Sequence, residues 1–437
     1  MKNALVRVLY NATISHENSA LKIFIVRFLS YSTYELERIS LYSTNIYNLI
    51  LLKTVMITNR TVSYILVALV QAAFLTSCSN NIPEVIKIGA AQPLTGNNAR
   101  LGQDLLNGVK LAVNELNEQG FKVKGKLVTL EVVAVDDRSN PETGKEVAKQ
   151  LVDAGVVAVI GHFNSGVSIP TAPIYAEKGI AQLAISTNVK YTALGLPTTF
   201  RLVANDGLQA KAIGSFAANQ LNGTKFAVVD DSTPYGKDLA AGAAEQLKLA
   251  KKQVVFAQSF DNATTAFGGL AQKLKEENID VLVTTLSDFQ LLALLESLKS
   301  IAYTKINILG GDTIKTTLML KGAGIVSGIY ASSPIIEPIE FPAGKEFLAK
   351  YLSTFKVEPA YAGHYTYDAM YALAAAIRKA ESANPVEITK SLKKLDAYTP
   401  VTGSMKFDDK GDQRYGAIAI YSTNAGKWES LVRSDAW

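Results

Sequence analysis

From Glu84 onward the chain alternates between short runs rich in Val, Ile and Ala and longer runs with apolar residues at helical spacing, and it does so twice. Strands that repeatedly hand over to helices return to their sheet by crossovers, which makes the sheets parallel and covers them with helices. In the first run, residues 85–90, 127–135, 156–160 and 180–184 read as strands. Residues 104–119, 140–153 and 167–177 read as the helices between them. Leu105, Val109, Ala112, Val113 and Leu116 give the first helix its apolar face. Asn140-Pro141 supplies an N-cap followed by Pro at the first helical position. Val156-Val157-Ala158-Val159-Ile160 is apolar throughout, as expected of a strand covered on both faces.

The alternation resumes after Arg201, with helices predicted over 207–221, 237–249, 267–277 and 289–300. Strands fall at 226–230, 254–259, 281–285 and 306–310. Gly102-Gln103-Asp104-Leu105 with Gly108 recurs 134 residues later as Gly236-Lys237-Asp238-Leu239 with Gly242. Each copy opens the helix after its run's first strand. The recurrence suggests two similar doubly wound α/β lobes. Ligands bind such sheets beyond the carboxyl ends of the strands, so two lobes facing each other there would enclose a cleft. The C-terminal part adds helices over 344–355, 361–383 and 386–394, and strand-like runs at 405–407 and 415–423 around the turn 408–412.

Charge and cysteine usage narrow the function. Seven of the 44 basic and three of the 39 acidic residues precede Cys78, leaving 37 against 36 in the rest of the chain. A body so nearly neutral carries no electrostatic footprint for nucleic acid. The single Cys and the three histidines (His16, His162, His364) exclude an internal disulfide and a Cys/His zinc site. A carboxylate site for calcium stays open as an alternative, but no EF-hand or P-loop spacing occurs, and neither a metal nor a cofactor is expected.

The N-terminus reads as an address. Residues 62–75 form a short apolar run with Arg60 before it and Leu75-Thr76-Ser77-Cys78 at its end, the layout of an export signal. The run is short for a membrane span, which needs about 20 apolar residues. Leu75-Thr76-Ser77-Cys78 resembles the bacterial lipobox, in which the Cys is lipidated. Residues 56–77 are thus expected to be a lipoprotein signal peptide starting at Met56, and residues 1–55 an over-extended start. The body would sit in the periplasm or at the cell surface, anchored by a lipid on Cys78. An uncleaved anchor helix with an incidental Cys is the plainer alternative.

Five ordered blocks resemble the type I periplasmic substrate-binding proteins of branched-chain amino acid transporters, the Leu/Ile/Val-binding group. They are Gly89-Ala90-Ala91-Gln92-Pro93-Leu94-Thr95-Gly96, Val159-Ile160-Gly161-His162-Phe163-Asn164-Ser165-Gly166, Thr187-Asn188-Val189-Lys190-Tyr191-Thr192, Asp230-Asp231-Ser232-Thr233-Pro234-Tyr235-Gly236 and Gly310-Gly311-Asp312. The resemblance covers residues 84–421. It implies a Venus-flytrap fold with three chain crossings, lobe one at 84–203 and 333–414, and lobe two at 204–332 and 415–437. It further implies a monomer that captures a small amino acid and delivers it to an ABC permease and its ATPase.

A free amino acid presents a carboxylate, an ammonium and a side chain. Hydroxyls and the N–H groups at a helix start suit the carboxylate. The resemblance assigns that task to Ser165 and Thr187, with backbone help near Ile185; on residues alone, Ser165 reads as a helix N-cap. It assigns the ammonium to Asp312, whose plainer role is to cap a helix over 313–321. Tyr235 is expected to lay its ring on the ligand, with Asn164 and Phe163 lining the pocket. Leu101 stands where the family often has an aromatic residue against the ligand, and Ser287 and Asp288 replace another. The side-chain pocket is therefore expected to differ, with Asp288 placed to read a polar group. Three rivals remain. They are an amino-acid or amide sensor of the same fold, a structural lipoprotein that binds nothing, and an enzyme. The last would need His162 and Ser165 as a pair, but they share one short loop without a Gly-x-Ser-x-Gly elbow.

Overall fold

The computed structural model describes residues 82–434. The proposed signal and Cys78 lie outside the described residues. Strand β1 (Val85–Gln92) leads into helix α1 (Ala99–Glu118). A hairpin of β2 (Lys122–Val123) and β3 (Lys126–Leu127) then precedes β4 (Thr129–Asp136). The predicted strand 127–135 is thus split. Helix α2 (Pro141–Asp153), β5 (Ala158–Gly161), α3 (Ser165–Ala176), β6 (Ala181–Ala184), α4 (Lys190–Ala193) and β7 (Thr199–Arg201) follow. The five longer strands form a parallel sheet in the order β4-β1-β5-β6-β7.

The chain then builds a second sheet. Its elements are α5 (Asp206–Asn219), β8 (Lys225–Asp230), α6 (Pro234–Leu249), β9 (Gln253–Ser259), α7 (Gly268–Glu276), β10 (Val281–Thr284), α8 (Asp288–Ser300), β11 (Asn307–Gly310) and β12 (Gly328–Ser333). The chain returns to the first lobe for α9 (Gly344–Phe355), α10 (Gly363–Ala380), α11 (Pro385–Lys393) and the small pair β13 (Asp396–Ala397) and β14 (Met405–Lys406). It crosses once more to add β15 (Ala419–Asn424) and β16 (Lys427–Arg433). The second sheet runs β16-β15-β12-β11-β10-β8-β9. It is parallel from β12 to β9, as expected, and antiparallel only at its added edge, where β15 pairs with both β12 and β16. A chain that re-enters a sheet by a hairpin at its edge needs no crossover helix.

Without that edge pair, both sheets have the same order of strands, second-first-third-fourth-fifth in each lobe's own sequence. The repeated motif has the same packing role in both. A Cβ on Gly108 would lie 1.9 Å from the Gly363 carbonyl oxygen, where α1 meets α10; one on Gly242 would lie 2.8 Å from Ala210 Cβ, where α6 meets α5. Each glycine lets two helices approach closely. Both faces of each sheet are buried. In β10, Leu282 packs with Leu291, Leu294 and Ile308, while Val281 and Val283 pack on the opposite face with Leu239 and Leu247. The lobe-one core joins Ile86 and Ile88 to Leu105, Phe200, Met370 and Ile377. Leu101 belongs to this core too. The predicted helix 361–383 begins at Gly363, because the buried Asp104 carboxylate accepts the backbone N–H groups of Tyr361 and Gly363 at 2.9 and 2.8 Å.

Candidate ligand-binding cleft

The switch point of the first sheet lies between β1 and β5, and that of the second between β8 and β10. The loops leaving these strands face each other across a cavity of about 520 Å³, within the roughly 300–1,000 Å³ usual for small-molecule sites. Lobe one supplies Thr95, Asn98, Phe163, Asn164, Ser165, Ile185, Thr187 and Tyr361 to its wall. Lobe two supplies Asp231, Thr233, Tyr235, Phe289 and Asp312. Ser165, Thr187, Ile185, Asn164, Phe163, Tyr235 and Asp312, all expected at the cleft, therefore meet in one cavity. Leu101 does not line it: α1 turns that side chain into the lobe-one core.

Ser165 is the first residue of α3, and Asn164 is its N-cap. Ser165 therefore does not fill the N-cap position, and Asn164, which does, makes no side-chain cap hydrogen bond. Ser165 Oγ accepts from Ser186 Oγ at 3.1 Å and from the Asn188 backbone at 3.4 Å. That ties α3's first turn, whose leading N–H groups have no intrahelical acceptor, to the segment carrying Ile185 and Thr187. Arg201, fully buried, holds the same segment from behind. Its Nη1 donates to the carbonyls of Ser186 and Asn188, its Nη2 to Thr192 Oγ1 at 2.7 Å, and its Nε to Asp412 at 2.7 Å. Nothing in the local pattern around Arg201 signals this task.

Asp312 stands on the opposite wall. It opens a short 3₁₀ turn (Asp312–Ile314) instead of capping an α-helix. Three donors converge on its carboxylate: the Tyr235 hydroxyl at 2.7 Å, the Tyr361 hydroxyl at 2.6 Å and Gln209 Nε2 at 3.0 Å. Burial, and then the charge of Asp312, hold both tyrosine hydroxyls far above their usual range, so they remain donors. Tyr361 also packs edge-on against Phe163, with ring centroids 5.5 Å apart. Asp288 does not line the cavity; it accepts from Thr316 Oγ1 at 2.7 Å and faces Arg100 at 4.0 Å. His162 is sealed away from Ser165, with Nδ1 2.7 Å from Asp137 and Nε2 3.1 Å from Tyr175. Ser165 and His162 therefore form no catalytic pair.

The lobes touch around the cavity. Asn188 Nδ2 donates across the gap to the Pro234 carbonyl and to Asp238, each at 2.8 Å, and Lys190 pairs with Asp238 at 2.7 Å. The cavity is thus that of a closed form. Four buried polar atoms without partners lie at or just behind it: Asn164 Oδ1, Gln209 Oε1 and both carboxyl oxygens of Asp206.

Two α/β lobes of matching strand order, closed over a polar cavity at both switch points, define a solute-binding protein. Residues 85–427 match the periplasmic binding protein family. The Leu/Ile/Val-binding protein homolog 1 of Brucella melitensis is 30% identical over 358 residues, covering 79% of this chain and 90% of that protein. An amino acid binding protein of Pseudomonas aeruginosa is 29% identical, covering 79% and 92%. Among solved structures, the leucine-binding protein LivK of Thermotoga maritima superposes with a TM-score of 0.73 at 23% identity, covering 80% of this chain and all of that one. LivJ of Streptococcus pneumoniae, in complex with isoleucine, gives 0.71 at 25% identity, covering 79% and 99%. The chain belongs to the type I periplasmic binding proteins of branched-chain amino acid transporters. This is an extracytoplasmic family of transporter substrate-binding proteins and not a family of enzymes. Among the described residues, no helix is long and apolar enough to cross a membrane.

Proposed function

We propose that the protein captures a free α-amino acid in the interlobe cleft and delivers it to an ABC permease, held at the membrane by a lipid on Cys78. One observation carries the reading: a hydroxyl-rich helix start on lobe one faces a carboxylate on lobe two across the cavity. Ser165, Thr187 and the first N–H groups of α3 take the ligand carboxylate. Asp312 takes its ammonium, with Tyr235 and Tyr361 beside it. The ligand would thereby bridge the lobes and favour the closed form.

A carboxylate-only ligand is the contrasting case, because a protein of Rhodopseudomonas palustris with this fold was solved with benzoate. Such a ligand would offer Asp312 no cation. Arg138, Asn98 and Asp261 at the cavity wall also suit a polar or amphipathic side chain better than a purely aliphatic one.

A thermal-shift screen of residues 79–437 against the twenty amino acids and benzoate tests the reading. Ligand at a hundredfold its Kd stabilises by about 2.7 kcal/mol, a plain rise in Tm. Stabilisation by an amino acid and not by benzoate is the expected result. Stabilisation by benzoate alone, or by nothing, would sink it.

A further inference from the structure

Two side chains on the cavity wall, one from each lobe, carry hydrogen-bonding capacity that the protein itself does not use. The first is Asn164 of lobe one. An Asn at a helix N-cap ordinarily turns its side-chain oxygen to a backbone N–H of the first turn, and Asn164 does not. Its Oδ1 is buried without a partner. Its Nδ2 is the free end of the amide, bonded to none of the described residues and not shut in. The first N–H groups of α3 thus stay available to the ligand carboxylate, with an unspent amide donor beside them.

The second is Asp231 of lobe two, in the loop between β8 and α6. It is 4% exposed and lines the same cavity. Its Oδ1 is spent within the loop, where it accepts from the Thr233 backbone at 3.0 Å and from the Thr233 hydroxyl at 2.6 Å. Its Oδ2 has no partner among the described residues. Arg138, the only cation among the residues lining the cavity, does not serve it, being mostly exposed and nearest to Asp136 at 3.9 Å.

A free donor on one lobe and a free acceptor on the other narrow the cargo's side chain. An aliphatic group would strand both. A carboxylate would accept from Asn164 but repel Asp231. An ammonium or guanidinium would suit Asp231 but meet the Asn164 donor with donors alone. A primary amide offers a carbonyl oxygen to Asn164 Nδ2 and an NH2 group to Asp231 Oδ2. We infer that Asn164 and Asp231 are specificity-determining residues of the cleft and that they select an amino acid with a side-chain amide, asparagine or glutamine. This rests on the reading of the cleft as an amino-acid site.

The test is calorimetric titration with two near-isosteric sets of ligands: asparagine, leucine and aspartate, then glutamine, methionine and glutamate. In one set the amide should bind the wild type roughly ten- to a hundredfold more tightly than both its partners. Asn164→Leu keeps the volume and removes the donor, and it should erase the preference for the amide over the aliphatic ligand. Asp231→Asn keeps an oxygen for Thr233 and turns an NH2 group to the cavity, so the preference should move from the amide to the acid. A merely structural role would weaken all ligands alike and leave their ratios unchanged. Wild type that binds leucine as tightly as asparagine, and methionine as tightly as glutamine, would overturn the inference. So would an acid binding best, or ratios that neither substitution moves. Binding of aliphatic amino acids alone would sink this inference and leave the amino-acid reading intact. If none of the twenty amino acids binds, that reading fails first and the inference falls with it.

Discussion

Replacing Asp312 by Asn removes a charge and leaves the side chain's shape. The carboxylate accepts from Tyr235 at 2.7 Å, Tyr361 at 2.6 Å and Gln209 at 3.0 Å. The Asn carbonyl oxygen can keep Tyr235 and Gln209, and its amide can donate to the Tyr361 hydroxyl oxygen. Weaker neutral hydrogen bonds are offset by relief from burying a charge, so unliganded stability should change by no more than about 1–2 kcal/mol. Binding should suffer far more. An ammonium enclosed in the closed cleft without its counter-charge costs about 3–5 kcal/mol. That corresponds to a rise in Kd of roughly a hundredfold to a few thousandfold. Titration calorimetry gives the Kd and urea unfolding gives the stability. Affinity within tenfold of wild type would place the ammonium elsewhere. A large loss of unliganded stability would make Asp312 a structural residue instead.

Other perturbations separate closure, scaffold and pH. Gly166→Val adds bulk where a Cβ would already lie 3.2 Å from Pro234 Cδ of the opposite lobe; it should weaken binding by about 1–3 kcal/mol with little effect on unliganded Tm, and a Kd within twofold of wild type would refute closure at that contact. Arg201→Lys cannot reproduce a fork that reaches two carbonyls, a hydroxyl and Asp412; a stability loss of roughly 3 kcal/mol or more in urea unfolding is expected. His364 is buried, and its burial lowers its pKa to about 4. It stays neutral in the fold while the unfolded chain protonates near its ordinary 6.5. Stability should therefore fall as pH drops from 6.5, by about 3 kcal/mol at pH 4. His364→Gln should flatten that slope, and an unchanged slope would refute the assignment.

What was legible in the sequence is what depends on near neighbours. The alternation identifies the helices and most strands because each carries its own period. The Asn140 cap was readable for the same reason, and its side chain accepts from the Glu142 and Thr143 backbones at 2.9 and 3.0 Å. The cleft was readable in part, through motif blocks at strand ends. Contacts between distant segments were not. Tyr361 reaches Asp312 across 49 residues and Asn188 reaches Asp238 across 50, and no periodicity marks either pair. Leu101 and Asp288 were misplaced for a related reason. Sequence places them near the cleft, but only packing decides whether a side chain turns into the core or towards a neighbour such as Thr316.

The two lobes share one strand order and one helix-opening motif, yet the copies of its aspartate have diverged. Asp104 is buried within lobe one, where it accepts the Tyr351 hydroxyl at 2.7 Å and the backbone leading into α10. It thereby fixes Tyr361, which turns its hydroxyl to Asp312. Asp238 lies at the lobe boundary and accepts Asn188 and Lys190 from the other side. Those contacts hold its carboxyl below the usual range despite some burial, so it stays ionised at any neutral pH. One aspartate thus positions a residue of the cleft wall from inside a lobe, while its counterpart exists as a contact only when the lobes meet. Of the two, only Asp238 makes its bonds across the lobe boundary. The buried pairing is made in the open and closed forms alike and cannot favour either. Asp238 is lost on opening and can, and because it is partly exposed its contribution is small and sensitive to salt. The ligand that we propose for the cleft would add to such contacts between the lobes and shift the population further towards the closed form.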